Sequence, residues 1–147
     1  MAITNFKGPN KWLSNFELVP ITYNGIYYPS TEHAYMAQKT TVIELRMQIA
    51  AASTPSKAKK LGRALKLRPD WELIKFQVME DVLRIKFNQE PYRTKLIETG
   101  DEELIEGNSW CDQIWGCCRC ESCLDSGIEG QNNLGKLLMK IRSELQA

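Results

Sequence analysis

With 147 residues, a formal charge of +1 and 25% charged side chains, the chain has the size of one ordinary domain, long enough to bury a core without staples. That balance excludes a protein whose whole surface grips a polynucleotide or coats a membrane, so a nucleic-acid partner needs a local basic patch. No apolar run is long enough to span a bilayer, and Met1-Ala2-Ile3-Thr4 lacks the basic-then-apolar layout of a secretory signal; a cytoplasmic protein with no membrane partner and with five reduced cysteines is expected.

In chain order, Leu18 to Tyr23 and Ile26 to Tyr28 are β-prone runs joined by Asn24-Gly25, a pair that suits the positive φ angles of a tight hairpin turn. The hairpin feeds Tyr28-Pro29-Ser30-Thr31-Glu32-His33-Ala34-Tyr35-Met36-Ala37-Gln38-Lys39, where Pro29 disfavours helix before it and Ser30 or Thr31 can cap a helix carrying Glu32 in its first turn. Glu32, Tyr35 and Lys39 recur at i, i+3 and i+7, which sets a carboxylate, a phenol and an amine on one face. Spacing alone is equally that of a solvated face with ordinary salt links. The helical pattern runs to about Ala52, with a break expected at Thr40-Thr41-Val42, where β-branched residues cluster.

Thr54-Pro55 reads as an N-cap followed by proline at the first helical position, opening a basic helix that stops at Gly62. Lys57, Lys59, Lys60, Arg63, Lys66 and Arg68 make a positive run that is either a solvated face or a phosphate clamp, with Arg63 just past the helix end. Asp70 should cap the core helix, Trp71 to about Asn88, which is apolar on much of its circumference. Pro91 begins a shorter helix ended by Thr99-Gly100, Glu103 to Glu106 reads as a short strand, and Asn132 to Leu145 as a closing amphipathic helix with Leu134, Leu137, Leu138, Ile141 and Leu145 on one face.

Cys111, Cys117, Cys118, Cys120 and Cys123 crowd the stretch before that helix. Cys120-x-x-Cys123 has the spacing of half a zinc site, but a second half would need Cys117 or Cys118 with Cys111 or a distant partner, and the expectation is an unliganded reduced loop with no metal. The lone histidine, His33, leaves little basis for a Cys-His nucleophile. The glycine-bearing loop from Asp125 to Gly135 runs into a helix start whose free amides would suit a phosphate. Neither a dinucleotide-binding nor a Walker glycine motif is present. Two acids stand beside aromatic residues: Glu32 near Tyr35, and Asp112 between Trp110 and Trp115. That combination suits cleavage of a ribose-to-base bond, where a carboxylate stabilises an oxocarbenium ion and a second activates water or protonates the departing nitrogen. It is equally the composition of two capping acids.

The set Trp12-Leu13-Ser14-Asn15-Phe16, Tyr28 to Lys39, Leu61-Gly62-Arg63, Trp71 with Met79, Leu83-Arg84-x-Lys86-Phe87, Asp112-Gln113-Ile114-Trp115-Gly116 and Gly130 to Arg142 resembles the NADAR (YbiA-like) family, in order and over nearly the whole chain. The resemblance implies a compact, mostly helical α+β domain over residues 1–147, with a small N-terminal β-hairpin. It also implies hydrolysis of N-glycosidic bonds without a metal or other cofactor. The substrates it suggests are small molecules, phosphorylated ribosylaminopyrimidine intermediates of riboflavin synthesis, or ADP-ribosylated guanine, free or attached to a nucleic acid. Carried onto this sequence, Glu32 is the catalytic carboxylate, Asp112 its partner, and Lys39 a phosphate ligand or a Schiff-base amine. Ser14, Asn15, Phe16, Tyr35, Arg63, Trp115, Gly116 and Asn133 are substrate-binding candidates, Arg63 for phosphate and Trp115 for stacking on the base. The cysteine loop departs from the short glycine-rich segment of many relatives. Two other classes stay open: a module that binds ADP-ribose or a nucleotide without cleaving it, and a zinc-dependent interaction domain. The sequence leaves the oligomeric state open.

Overall fold

The computed structural model describes residues 2–147 and is an α+β fold with more helix than strand. It divides into two units, one formed by Asn15–Gln89 and the other by the chain up to Ser14 together with Glu90–Ala147.

In the Asn15–Gln89 unit the expected hairpin is present. Strands β2 (Leu18–Tyr23) and β3 (Ile26–Ser30) pair antiparallel, with Thr22 opposite Tyr27 and an irregularity between Leu18 and Ile21. Asn24 and Gly25 take φ of 50° and 81°, the left-handed pair that the turn requires. Helix α1 (Thr31–Ala37) follows without a spacer, and the β-branched cluster does break the pattern before α2 (Ile43–Ala50). Val19, Ile21, Tyr28, Ile49 and the apolar residues of α1 are buried with one face of α4 (Trp71–Phe87). On α4 the buried apolar residues are Trp71, Val78, Met79, Val82, Leu83 and Phe87, while Leu73 is 87% exposed; apolar composition runs further round this helix than burial does. Lys86, also on α4, is fully buried, and burial pushes its ammonium down to about 7 against the pull of Glu17.

One helix end and one cap depart from expectation. Helix α3 (Pro55–Arg63) begins as predicted, Thr54 Oγ1 accepting the Lys57 amide at 3.1 Å, but runs through Gly62 rather than stopping there. Gly62 is buried against Met36, and a Cβ at that position would sit 2.5 Å from Met36 Sδ, so the missing side chain permits close approach of α3 to α1. Arg63 therefore stands in the last helical turn. Asp70 sits at the N-cap of α4 without a capping bond from its side chain; both of its oxygens instead take the Arg68 guanidinium, at 2.6 and 3.1 Å.

The other unit opens with β1 (Ala2–Ile3) and a 3-10 turn over Gly8–Leu13. β1 pairs in parallel with β4 (Glu103–Leu104), a partner that the sequence reading did not anticipate. α5 (Tyr92–Glu98) ends at Thr99 as expected, with Gly100 at φ 67°. β5 (Gly107–Asn108) pairs in parallel with β6 (Cys117–Cys118), and the six-residue helix α6 (Glu121–Ser126) lies where only a loop was expected. α7 (Asn133–Gln146) buries Leu134, Leu138 and Ile141, while Arg142 Nη1 donates to the Glu102 carbonyl at 2.7 Å and to Thr99 Oγ1 at 3.0 Å. Among the described residues no helix is long and apolar enough to cross a membrane.

Candidate active site

Ser30 terminates β3 and caps α1. Its Oγ accepts the His33 amide at 3.1 Å and lies 2.6 Å from His33 Nδ1. His33 Nε2 lies 3.0 Å from the Ala52 carbonyl, which can only accept, so Nε2 carries the proton and Nδ1 accepts from the Ser30 hydroxyl. Burial holds this imidazole below its ordinary range. The single histidine is thus a neutral strap that ties α1 to the chain after α2.

The strap fixes the next residue back. Glu32 is buried, at 7% exposure, and its amide donates to the Asn15 carbonyl at 3.1 Å. Asn15 is itself committed: its Oδ1 accepts the Thr31 hydroxyl at 2.8 Å and its Nδ2 approaches Met79 Sδ at 3.5 Å. Asn15 therefore acts in this structure as a brace for the start of α1. Tyr35, one turn on, is buried with its ring centroid 5.2 Å from that of Trp71, the planes at 60°.

Lys39 follows at the end of this segment, half-buried. Burial pushes its ammonium below the usual lysine range; the charge of Glu32 pulls it back up, and the charges of Arg63, Lys59 and Lys75 push it further down. Lys39, in the turn after α1, thus feels the buried Glu32 carboxylate together with Lys59 and Arg63 of α3 and Lys75 of α4. Lys59 Nζ also lies 5.9 Å from the Phe16 ring centroid. So Glu32, Tyr35, Lys39, Arg63, Asn15 and Phe16, expected as site residues from motif alone, fall in one unit around α1. Lys59 belongs to the basic run already read as a possible phosphate clamp, whereas no local motif marks Lys75; the packing of α3 and α4 on α1 brings both into this unit.

Ser14, Asp112, Trp115, Gly116 and Asn133 belong to the other unit. Ser14 ends the 3-10 turn, its amide donating to the Lys11 carbonyl at 2.8 Å. Asp112 Oδ1 accepts the amides of Ile114 at 3.1 Å and Trp115 at 2.9 Å, while its own backbone is clamped by Asn108, whose Nδ2 donates to the Asp112 carbonyl at 2.9 Å. Asp112 Oδ2 accepts no hydrogen bond among the described residues. The carbonyls of Ile114, Trp115 and Gly116 then take the amides of Asn133, Leu134 and Asn132, so the α7 amides expected to face a phosphate are spent on the Asp-x-x-Trp-Gly turn. Asn133 Nδ2 joins them, donating to the Ile114 carbonyl at 2.8 Å. A Cβ on Gly116 would run into the Glu106 backbone, which accounts for glycine after Trp115. Asn132, part of the closing motif but not among the site candidates, is buried at φ 52° and bridges Leu104 and Glu106 like an extra strand residue.

A family model described as the NADAR domain matches residues 4–146. An N-glycosidase of Nostoc punctiforme is 38% identical over 147 residues, covering 94% of this chain and 87% of that protein. N-glycosidase YbiA of Escherichia coli is 38% identical over 136 residues, 90% of this chain and 79% of its own length. A riboflavin biosynthesis protein of Vibrio vulnificus is 38% identical over 139 residues, of which this chain spans 92% of itself but only 35% of the relative. The NMR structure of Escherichia coli YbiA superposes with a TM-score of 0.82 at 33% identity, covering 99% of this chain and 83% of that one. The motifs, the fold and these matches agree, and the chain belongs to the NADAR domain family.

Proposed function

We propose that this chain hydrolyses the N-glycosyl bond of a phosphorylated riboside, with Glu32 as the carboxylate at the anomeric carbon. The observation that carries the reading is a buried acid on α1 whose charge acts on Lys39, a half-buried amine that also feels the charges of Lys59, Arg63 and Lys75. A buried carboxylate beside developing positive charge stabilises an oxocarbenium ion far better than one in bulk water, and clustered Lys and Arg suit a sugar phosphate. In the proposed step the bond from the ribose carbon to the base nitrogen breaks and its electron pair leaves with the nitrogen. Water then adds to the carbon, Glu32 accepts the water proton and returns it to solvent, and the departing nitrogen takes up one proton from solvent or from the second acid. Asp112 is the second acid by the motif it stands in, with Oδ2 left over from the turn that Oδ1 builds. Tyr35 and Phe16 supply apolar and aromatic surface, and Trp115 stacks on the base.

The relatives named for N-glycosidase activity and for riboflavin biosynthesis favour a ribosylaminopyrimidine phosphate as substrate. The exposed basic run of Lys57, Lys60 and Lys66 favours a second substrate class, ADP-ribosylated guanine on a nucleic acid. A substrate panel separates them: release of free base from the small riboside without salt sensitivity supports the first, and steeply salt-dependent release from a polynucleotide supports the second. Glu32→Gln should abolish base release from either while leaving the fold and ligand binding intact. Ligand binding with no base released by the parent protein would make the chain a binding module instead.

A further inference from the structure

Cys111, Cys118, Cys120 and Cys123 bring their sulfur atoms within 4.8 Å of one another. We propose that these four thiolates hold a structural zinc ion. Tetrahedral zinc with Zn–S bonds of about 2.3 Å places its sulfurs about 3.8 Å apart. The Cys111 and Cys120 sulfurs are 3.6 Å apart, close to that edge length and far outside a disulfide bond of about 2.05 Å. A disulfide satisfies sulfurs in pairs; mutual convergence of four is the arrangement of a shared central ion.

The backbone is shaped for the same purpose. β5 and β6 hold residues 107–108 against 117–118, and Asn108 Oδ1 takes the amides of Trp110 and Asp112, so the Cys111 turn folds back toward Cys118. Cys111 adopts φ 65°, a left-handed conformation that costs a non-glycine residue energy. Cys118 is buried, and its sulfur accepts the amides of Cys111 at 3.2 Å and Cys120 at 3.4 Å, the donor pattern that stabilises a thiolate. Cys120 stands at the N-cap position of α6 and Cys123 lies in its first turn, completing a Cys-x-x-Cys half-site on the helix.

Helix α6 also needs such an anchor. None of its residues is buried, Leu124 is exposed, and six residues do not form a stable helix unaided. Four protein ligands leave no open position for substrate or water, which makes this ion a brace rather than a participant in bond cleavage. What it braces includes Cys111, the residue before Asp112. The fifth thiol, Cys117, points elsewhere, its sulfur 3.7 Å from the Gly130 carbonyl.

The test is elemental analysis of the full chain purified without chelator, paired with release of metal to a zinc-sensitive dye by a thiol-blocking mercurial. About one zinc per chain is expected, lost in Cys120→Ser and Cys123→Ser, kept in Cys117→Ser, and kept in Glu32→Gln. If the serine variants fail to fold, cobalt reconstitution of the parent chain reads the ligand set by its sulfur-to-metal charge-transfer band and tetrahedral d–d intensity. Five freely titrating thiols with no metal, a disulfide within the cluster, bound iron in place of zinc, or equal metal loss in Cys117→Ser would each overturn the proposal.

Discussion

Ser30 and His33 hold each other twice, hydroxyl oxygen to backbone amide and hydroxyl to ring nitrogen, in a buried contact one residue on either side of the Thr31-Glu32 pair. The capping bond that starts α1 and the imidazole that anchors it are therefore one unit, and Glu32 inherits its position from both. Ser30→Ala should cost about 1–2 kcal/mol in denaturant unfolding, the sum of a lost cap and a buried ring nitrogen left without its donor. Because burial holds His33 below its ordinary value of 6.5, the unfolded chain binds a proton that the folded chain resists. The corresponding stability is present above pH 6.5 and is lost as the pH falls through that value toward the folded one. Unfolding midpoints measured across this acid range should fall with pH in the parent, and less steeply when His33 is replaced by Gln.

Lys39 separates two chemistries. Lys39→Arg keeps a cation among Arg63, Lys59 and Lys75 but removes an amine able to form an imine, whereas Lys39→Met removes both. If Lys39 only holds phosphate, the Arg variant should retain activity within about tenfold and show its loss in KM. If its amine attacks a ring-opened sugar, the Arg variant should be as inactive as the Met variant, and borohydride should trap substrate carbon on the parent chain. Mass spectrometry of the trapped chain decides between the two.

Asp112 carries a structural duty that a single alanine variant would confuse with catalysis. Asp112→Ala removes the acceptor for the Ile114 and Trp115 amides and should destabilise by about 1 kcal/mol or more. Asp112→Asn retains an oxygen acceptor at the turn and should unfold close to the parent. A loss of kcat of about a hundredfold in the Asn variant, with its unfolding midpoint preserved, would mark Asp112 as an acid in the reaction; full activity would leave it a turn residue.

The sequence by itself determined the parts whose causes are local. Asn24-Gly25 dictated the hairpin turn, Ser30 the start of α1, Thr54-Pro55 the start of α3, and the leucine spacing from Leu134 the last helix, because each depends on φ preferences, a cap within one turn or a 3.6-residue period. The motif also marked Glu32 and Lys39 as candidates. Tertiary structure decided whatever depends on who arrives from elsewhere in the chain. Gly62 reads locally as a helix stop, but in the fold it serves the close approach of Met36, and Asp70 reads as a cap, but Arg68 takes both its oxygens. The parallel pairs of Ala2–Ile3 with Glu103–Leu104 and of Gly107–Asn108 with Cys117–Cys118 have no short-range signal, since two-residue strands form only when a distant partner supplies their hydrogen bonds. The cysteine cluster follows from the second of those pairings: spacing marked Cys120 and Cys123 as half a site, and only the closure of the loop chose Cys111 and Cys118 over Cys117 as the other half.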